Sequence, residues 1–329
     1  MCAELPNDQM THSPNYPMIY RGLVLSALLL SSLSAQGQGI LPRRPPRPKI
    51  GQKPVRLVAV GDINLAEPMA RVMKKKGRGY PFSALKTFLQ KADIAFGNLE
   101  CAVATVGEPI EKQFNFRADP RVLPVLRETG FDIVSTANNH TWDYGRAAML
   151  ETVQNIRKLG IVSVGAGANS AEAHRLVILR RNGLKIGFLA YLGLLPPLVP
   201  ESTTEPSLAM ASVEAITREA RAAKSQVDIL IISLHAGEEG SQTITPRQRS
   251  FARAAIYGGA DLVIGHHPHV VQKSEVYRGK QIFYSLGNFV FSPAGRGTGA
   301  LLDVTLFPNG KITAKLRRLS LAGGRPHFP

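Results

Sequence analysis

Apolar runs of strand length alternate with stretches of helical spacing through the first half of the chain. Val55 to Val60 ends in Gly61-Asp62, and Asp93 to Phe96 runs into Gly97-Asn98-Leu99-Glu100. Asp132 to Thr136 leads into Asn138-Asn139-His140, and Ile161 to Val164 into a glycine-rich turn. Between these runs, segments 81–91, 119–129 and 145–159 carry apolar residues at helical intervals, as in Met149, Val153, Ile156 and Leu159. Such spacing places them on one helical face, so the alternation predicts βαβ units.

The second half has a different pattern. Arg175 to Arg180 and Leu184 to Tyr191 flank Arg181-Asn182-Gly183, whose Asn-Gly step predicts a hairpin. A loop containing Pro196, Pro197, Pro200 and Pro206 precedes a predicted helix over 212–224. Asp228 to Leu234 and Leu262 to Ile264 read as buried strands around a helix at 246–258. The segments 281–292, 299–307 and 311–321 read as antiparallel strands, with a turn at Pro308-Asn309-Gly310. Each sheet must bury a face, so two packed sheets flanked by helices satisfy the whole pattern. The fold class is α/β with an antiparallel C-terminal β region.

Residues 22–35 form an uncharged apolar run preceded by Arg21 and followed by small residues around Ser34 to Gly37. The run is shorter than the roughly 20 residues a membrane span needs and fits the hydrophobic region of a signal peptide. Residues 1–36 are therefore expected to be a signal peptide with an extended n-region, in which Met18 is a more natural start than Met1. A Pro/Arg-rich linker is expected over 37–54, the folded domain over 55–321 and a short tail over 322–329. This organisation implies export to the periplasm or cell envelope, with no permanent transmembrane span after processing. Cys2 would leave with the leader, so Cys101 would have no disulfide partner and no cysteine metal site could form.

The chain has 329 residues, with 40 Lys plus Arg against 24 Asp plus Glu, a formal charge of +16. That balance fits an anionic substrate or polymer as partner. The basic residues are dispersed, with knots only at Arg43-Arg44, Lys74-Lys75-Lys76 and Arg317-Arg318. No basic run is interleaved with aromatics and no nucleic-acid-binding motif is present, which disfavours nucleic acid.

The chemistry lies at the ends of the apolar runs. Asp62, Asn98 with Glu100, Asn139 with His140, His235, and His267 with His269 follow separate predicted strands. In open α/β sheets the carboxyl ends of strands converge on the ligand crevice. Imidazole and carboxylate together suit Zn, Mn or Fe, and a set this large can supply two divalent ions sharing a bridging carboxylate. Taken singly, a Gly-Asp step is often a helix cap and Asn138-Asn139 fits a turn. Turn chemistry, however, does not demand histidine after three strands.

In this order the motifs resemble the CapA family of capsule and poly-gamma-glutamate synthesis proteins. They are Gly61-Asp62, Asn98-Leu99-Glu100, Asn138-Asn139-His140 with Asp143, His235-Ala236-Gly237-Glu238-Glu239, His266-His267-Pro268-His269 and Ser285-Leu286-Gly287-Asn288-Phe289. The family is related to calcineurin-like metallophosphoesterases, and the resemblance implies their four-layer α-β-β-α sandwich. It implies metal ligands at Asp62, Asn139, His235, His267 and His269, with Glu100 or Asn98 in the bridging place, and a catalytic pair in His140 and Asp143. Lys112 and Arg117 are candidates to clamp an anionic substrate, or else solvated loop charges. Asn64 stands where phosphoesterases carry a histidine, and Ala236 and Gly240 replace aromatics usual in the family. The implied function is an exported, metal-dependent phosphoesterase-like hydrolase that uses metal-activated water and works with the capsule synthesis machinery. The alternatives are a non-catalytic polyanion-binding component of polymer assembly and a hydrolase of the polymer's own amide bonds.

Overall fold

The first strand, β1 (Val55–Ile63), is buried along its length except at Arg56, as expected of a strand covered on both faces. The structure, a computed structural model, describes residues 51–194, 201–295 and 297–329. The expected signal peptide, most of the linker, and Pro196, Pro197 and Pro200 lie outside the described residues. Among the described residues no helix is long and apolar enough to cross a membrane.

After β1 come α1 (Met69–Lys76), α2 (Lys86–Gln90), β2 (Ile94–Leu99), α3 (Pro124–Thr129), β3 (Ile133–Ser135), α4 (Gly145–Lys158) and β4 (Val162–Val164). The second half holds β5 (Val177–Arg181), β6 (Leu184–Leu192), α5 (Val213–Lys224), β7 (Ile229–His235), α6 (Pro246–Gly258) and β8 (Leu262–His266). It closes with β9 (Ser274–Tyr277), β10 (Lys280–Phe283), β11 (Asn288–Val290), β12 (Gly299–Leu306) and β13 (Ile312–Leu319). One sheet runs β13-β12-β1-β2-β3-β4, with β11 also paired to β1, and the other runs β9-β10-β8-β7-β6-β5.

Alternation along β1 explains the layers. Leu57 and Ala59 face the second sheet in a core shared with Phe96, Phe188, Ile231 and Ile264, while Val58 and Val60 face Met69, Leu89 and Leu126 of the first helical layer. The outer face of the second sheet is covered by α5 and α6 through Ile216, Ala220, Phe251 and Ala255. Helices thus pack on the outer faces of the two sheets, and each fully buried Leu or Ile contributes about 1.5–3 kcal/mol. The hairpin at Asn182-Gly183 forms as expected, with both residues at positive φ. Cys101 is free and buried.

Three expectations need correction. The helix over 81–91 is a 3-10 turn, Tyr80–Phe82, followed by the short α2. The helix over 119–129 likewise divides into a 3-10 turn capped by Asp119 and then α3, because Pro124 lacks the N–H that would continue one helix. The segment 281–292 is two strands rather than one antiparallel strand. Its first part, β10, is parallel to β8 and antiparallel to β9, whereas β11 belongs to the other sheet and is parallel to β1. Residues between them cross from sheet to sheet, and Asp62 N donates to Gly287 O at 3.0 Å at the crossing. The approach is close: a Cβ on Gly61 would lie 1.9 Å from Gly287 O. The tail is not loose, since Ser320 pairs with His327 and Phe328 packs edge-on against Phe88.

Candidate metal centre

Strands β1, β2 and β3 of one sheet and β7 and β8 of the other bring their carboxyl ends together. Asp62, Asn98, Glu100 and His235 are buried to 1% exposure or less, and Asn139, His140 and His267 to 8% or less. Two donor groups emerge. Glu100, His235 and His267 form one, Asp62, Glu100 and His269 the other, and within each group the ligand atoms all lie within 4.8 Å of one another. Glu100 belongs to both, and its Oε1 lies 3.5 Å from His235 Nε2 and 3.8 Å from His269 Nε2.

Asparagines order this cluster. Asn98 Nδ2 donates to Asp62 Oδ1 at 2.9 Å and to Glu100 Oε2 at 3.1 Å, while its own oxygen accepts from Asn138 Nδ2 at 3.0 Å. As placed, Asn98 holds the two carboxylates and turns its oxygen away from them, so Glu100 rather than Asn98 stands in the shared position. Asn139 Oδ1 sits 2.8 Å from His235 Nε2, at the first donor group. Asn138 Oδ1 accepts from the backbone N–H groups of His140 and Thr141, fixing the turn that presents both Asn139 and His140.

The residues fit a divalent cation on two counts. Glu100 Oε1 and His267 Nδ1 are buried without a hydrogen-bond partner, a costly state that a bound cation relieves. The electrostatics suit ligation at Asp62, His235 and His267. Burial, with the charge of Asp62, pushes the Glu100 carboxyl well above its ordinary range. Burial acts against Asp62 ionisation, but His266 and His269 outweigh it and hold its carboxyl well below the usual value. Burial and the neighbouring imidazoles keep His235 neutral and push His267 down to about 3. Burial also opposes the charge on His269, yet Asp62 prevails and raises it. Neutral imidazoles and carboxylates are the forms that ligate metal, so Asp62, His235 and His267 stand ready to bind, whereas Glu100 and His269 give up a proton when they do.

A second network adjoins the first. His140 Nδ1 lies 2.7 Å from Asp143 Oδ2, and Asp143 Oδ1 accepts from Lys112 Nζ at 2.5 Å. Phe116 N also donates to Asp143, at 2.6 Å. Asp143 thus orients the ring of His140, and the imidazole borders a cavity of about 720 Å³ that also reaches His269. Burial outweighs Asp143 and lowers the pKa of His140. Lys112 therefore sits at the site, tied to Asp143. Arg117 does not: its guanidinium bonds Gly107 O at 3.0 Å and lies 4.1 Å over the Tyr144 ring. Asn64 Oδ1 accepts from Ala66 N at 2.8 Å.

Sequence reasoning gave no role to His266 or Asn288. His266 Nδ1 lies 3.2 Å from Asp62 Oδ1, and Asn288 Oδ1 lies 2.9 Å from His269 Nδ1. The Ser285–Phe289 motif flagged the neighbourhood of Asn288, but only the crossing between sheets brings it to the ligands.

The model of the bacterial capsule synthesis protein family PGA_cap matches residues 56–293. The capsule biosynthesis protein CapA of Bacillus anthracis is 27% identical over 324 residues, covering 95% of this chain and 78% of that protein. The PGA biosynthesis protein CapA of Bacillus subtilis is 32% identical over 256 residues, covering 76% and 67% respectively. A hypothetical protein from Thermus thermophilus has a similar structure, with a TM-score of 0.50 at 19% identity, covering 80% of this chain and 99% of that one.

Proposed function

The chain belongs to the bacterial capsule synthesis protein family PGA_cap, and from that premise we propose that it is an exported, metal-dependent phosphoesterase-like hydrolase serving capsule or poly-gamma-glutamate synthesis. The observation that carries this reading is the sharing of Glu100 by two donor groups, with its Oε1 buried and unpaired. Two divalent ions, of Mn, Zn or Fe, suit such a pair of groups. When bound, they supply Lewis-acid polarisation of an ester and lower the pKa of water.

His267 serves the first position with His235 and Asn139, and His269 serves the second with Asp62. Asn98 fixes one oxygen of Asp62 and one of Glu100 through its amide nitrogen. His140 touches the substrate: with Nδ1 held by Asp143, its other nitrogen is the one left to protonate a leaving oxygen. Asp143 and Lys112 are positioning residues that set the tautomer and angle of that ring. Partners in this reading are an anionic substrate and the capsule synthesis machinery, at the periplasm or cell envelope.

The test is elemental analysis of the purified protein together with a panel of phosphomonoesters, phosphodiesters and gamma-linked glutamyl peptides. About two divalent ions per chain and turnover of a phosphoester are expected. A folded protein that binds no metal when dialysed against Mn²⁺ or Zn²⁺ would sink the proposal. Cleavage of the peptides alone would move it to amide hydrolysis.

A further inference from the structure

We infer that the cavity beside the metal centre receives the flat, apolar portion of a small ester, and that the anionic polymer is not what fills it. The inference rests on the hydrolase reading for its chemistry but on the cavity walls for its content. At about 720 Å³ the cavity has the size of a small-molecule site, far larger than one phosphoryl group requires.

Its inner wall is aromatic. The Phe116 ring lies 4.3 Å from His140, and the Phe291 ring lies 4.4 Å from His269. The two phenyl rings meet edge to face, 5.8 Å apart at 88°, so they form one continuous apolar surface between the two histidines. Phe114 extends this surface outward, its ring within 16° of parallel to Phe116, and it remains 56% exposed. An exposed phenylalanine at the mouth of a cavity is an apolar contact that a ligand can cover. Gly240 borders the same space, and a Cβ there would meet nothing within 4 Å, so the cavity is open on that side.

Charge points the same way. The charged groups at the rim are the carboxylates of Glu67, which pairs with Arg71 on its outer side, and Glu239, and among the described residues no Lys or Arg lines the cavity itself. Lys112 is nearby but is bound to Asp143. A gamma-linked polyglutamate would set the carboxylates that lie beyond the metal positions against phenyl rings and two glutamates, where among the described residues no Lys or Arg lines the cavity to receive them. A planar apolar group meets no such penalty and gains by covering Phe114 and Phe116.

The experiment compares binding of 2-phenylethylphosphonate, ethylphosphonate and gamma-linked triglutamate to the Mn²⁺-loaded protein by calorimetry. The two phosphonates offer the same group to the metals and differ in the ring. The phenylethyl compound is expected to bind about 10–100-fold more tightly than ethylphosphonate, as burial of one ring implies. Triglutamate is expected to bind more weakly than either. Phe114→Ala, at an exposed position, should cut the preference for the ring about 3–10-fold. Equal affinity for the two phosphonates, tighter binding of triglutamate, or a preference untouched by Phe114→Ala would each overturn the inference. Parallel turnover of 2-phenylethyl and ethyl phosphate, whose leaving alkoxides are alike, separates the two proposals. Ring-selective binding without turnover of either ester sinks hydrolysis and supports the cavity assignment. Turnover without selectivity sinks the assignment and leaves hydrolysis standing.

Discussion

Replacing Glu100 with Gln keeps the shape of the side chain and removes the charge that both donor groups share. A site holding metal at a free concentration about 1,000 times its Kd stabilises the fold by about 4.1 kcal/mol. For a domain of this size that is a rise in Tm of about 7 °C per site, and about twice that for two. Glu100→Gln should abolish most of the rise, because both groups lose the carboxylate they share and only the second retains another, that of Asp62. His267→Ala and His269→Ala should each lose about half, since each imidazole belongs to one group only. The metal-free protein supplies the control. There Glu100 titrates well above its ordinary value of 4.5, so its contribution is fully present below about pH 4.5 and is lost as pH rises through the folded-state pKa. Metal-free Glu100→Gln lacks this loss and should be at least as stable as the parent at pH 8. Calorimetric melting with and without Mn²⁺ at pH 5 and pH 8, with metal content measured in parallel, reads all of these effects. If Glu100→Gln lost only one metal, or melted well below the parent without metal, the shared-carboxylate reasoning would fail.

His140→Ala should keep its metal and lose turnover by about 10²–10⁴-fold, more for alkyl than for aryl esters, whereas Asn139→Ala should lose metal; metal content and rate on both variants check this, and wild-type turnover of alkyl esters by His140→Ala would remove the acid role. Gly61→Ala, whose Cβ would fall 1.9 Å from Gly287 O, should cost about 2–4 kcal/mol in denaturant unfolding, and a change below about 0.5 kcal/mol would contradict the crossing geometry. Sequencing of mature protein from the envelope should place its N-terminus near residues 35–38, and recovery of an intact Met1 or Met18 would argue against cleavage.

The strands that carry the ligands were legible because buried parallel strands are short apolar runs, and each ended in a polar motif. The helices were less so. In α1 only Met69 and Met73 are buried, too few to show a period beside the basic knot that follows. The strand β9, with Val276 exposed and its burial alternating, has no apolar run to mark it. The sheet change between β10 and β11 left no periodic signal either, because an apolar stretch looks the same whichever sheet receives it. For the site, residue type was enough to gather candidates but not to orient them. Asn98 and Asn139 look alike in sequence, yet one turns its amide nitrogen and the other its oxygen to the cluster. Arg117 follows the same segment as Lys112, but a single backbone carbonyl and the Tyr144 ring hold it elsewhere.

A purely structural role for this cluster is hard to reconcile with its hydrogen bonds. Polar groups buried for stability are normally satisfied, since an unpaired one costs about 1–3 kcal/mol. Asn138 meets that standard, with its oxygen and its amide nitrogen both engaged. Glu100 Oε1 and His267 Nδ1 do not, although both lie among potential donors and acceptors. The backbone bears a cost as well. His267 and His269 adopt φ values of 99° and 57°, where a side chain other than glycine costs roughly 1–2 kcal/mol. Buried unpaired atoms also occur outside the donor groups, at Ser163 Oγ, Ser233 Oγ and Gln248 Oε1, but in the donor groups unpaired atoms and strained backbone coincide. A fold selected only for stability would place glycine at such positions and an amide partner beside the glutamate. Histidine in the strained positions and an unpaired carboxylate oxygen between them make sense when a cation completes the arrangement.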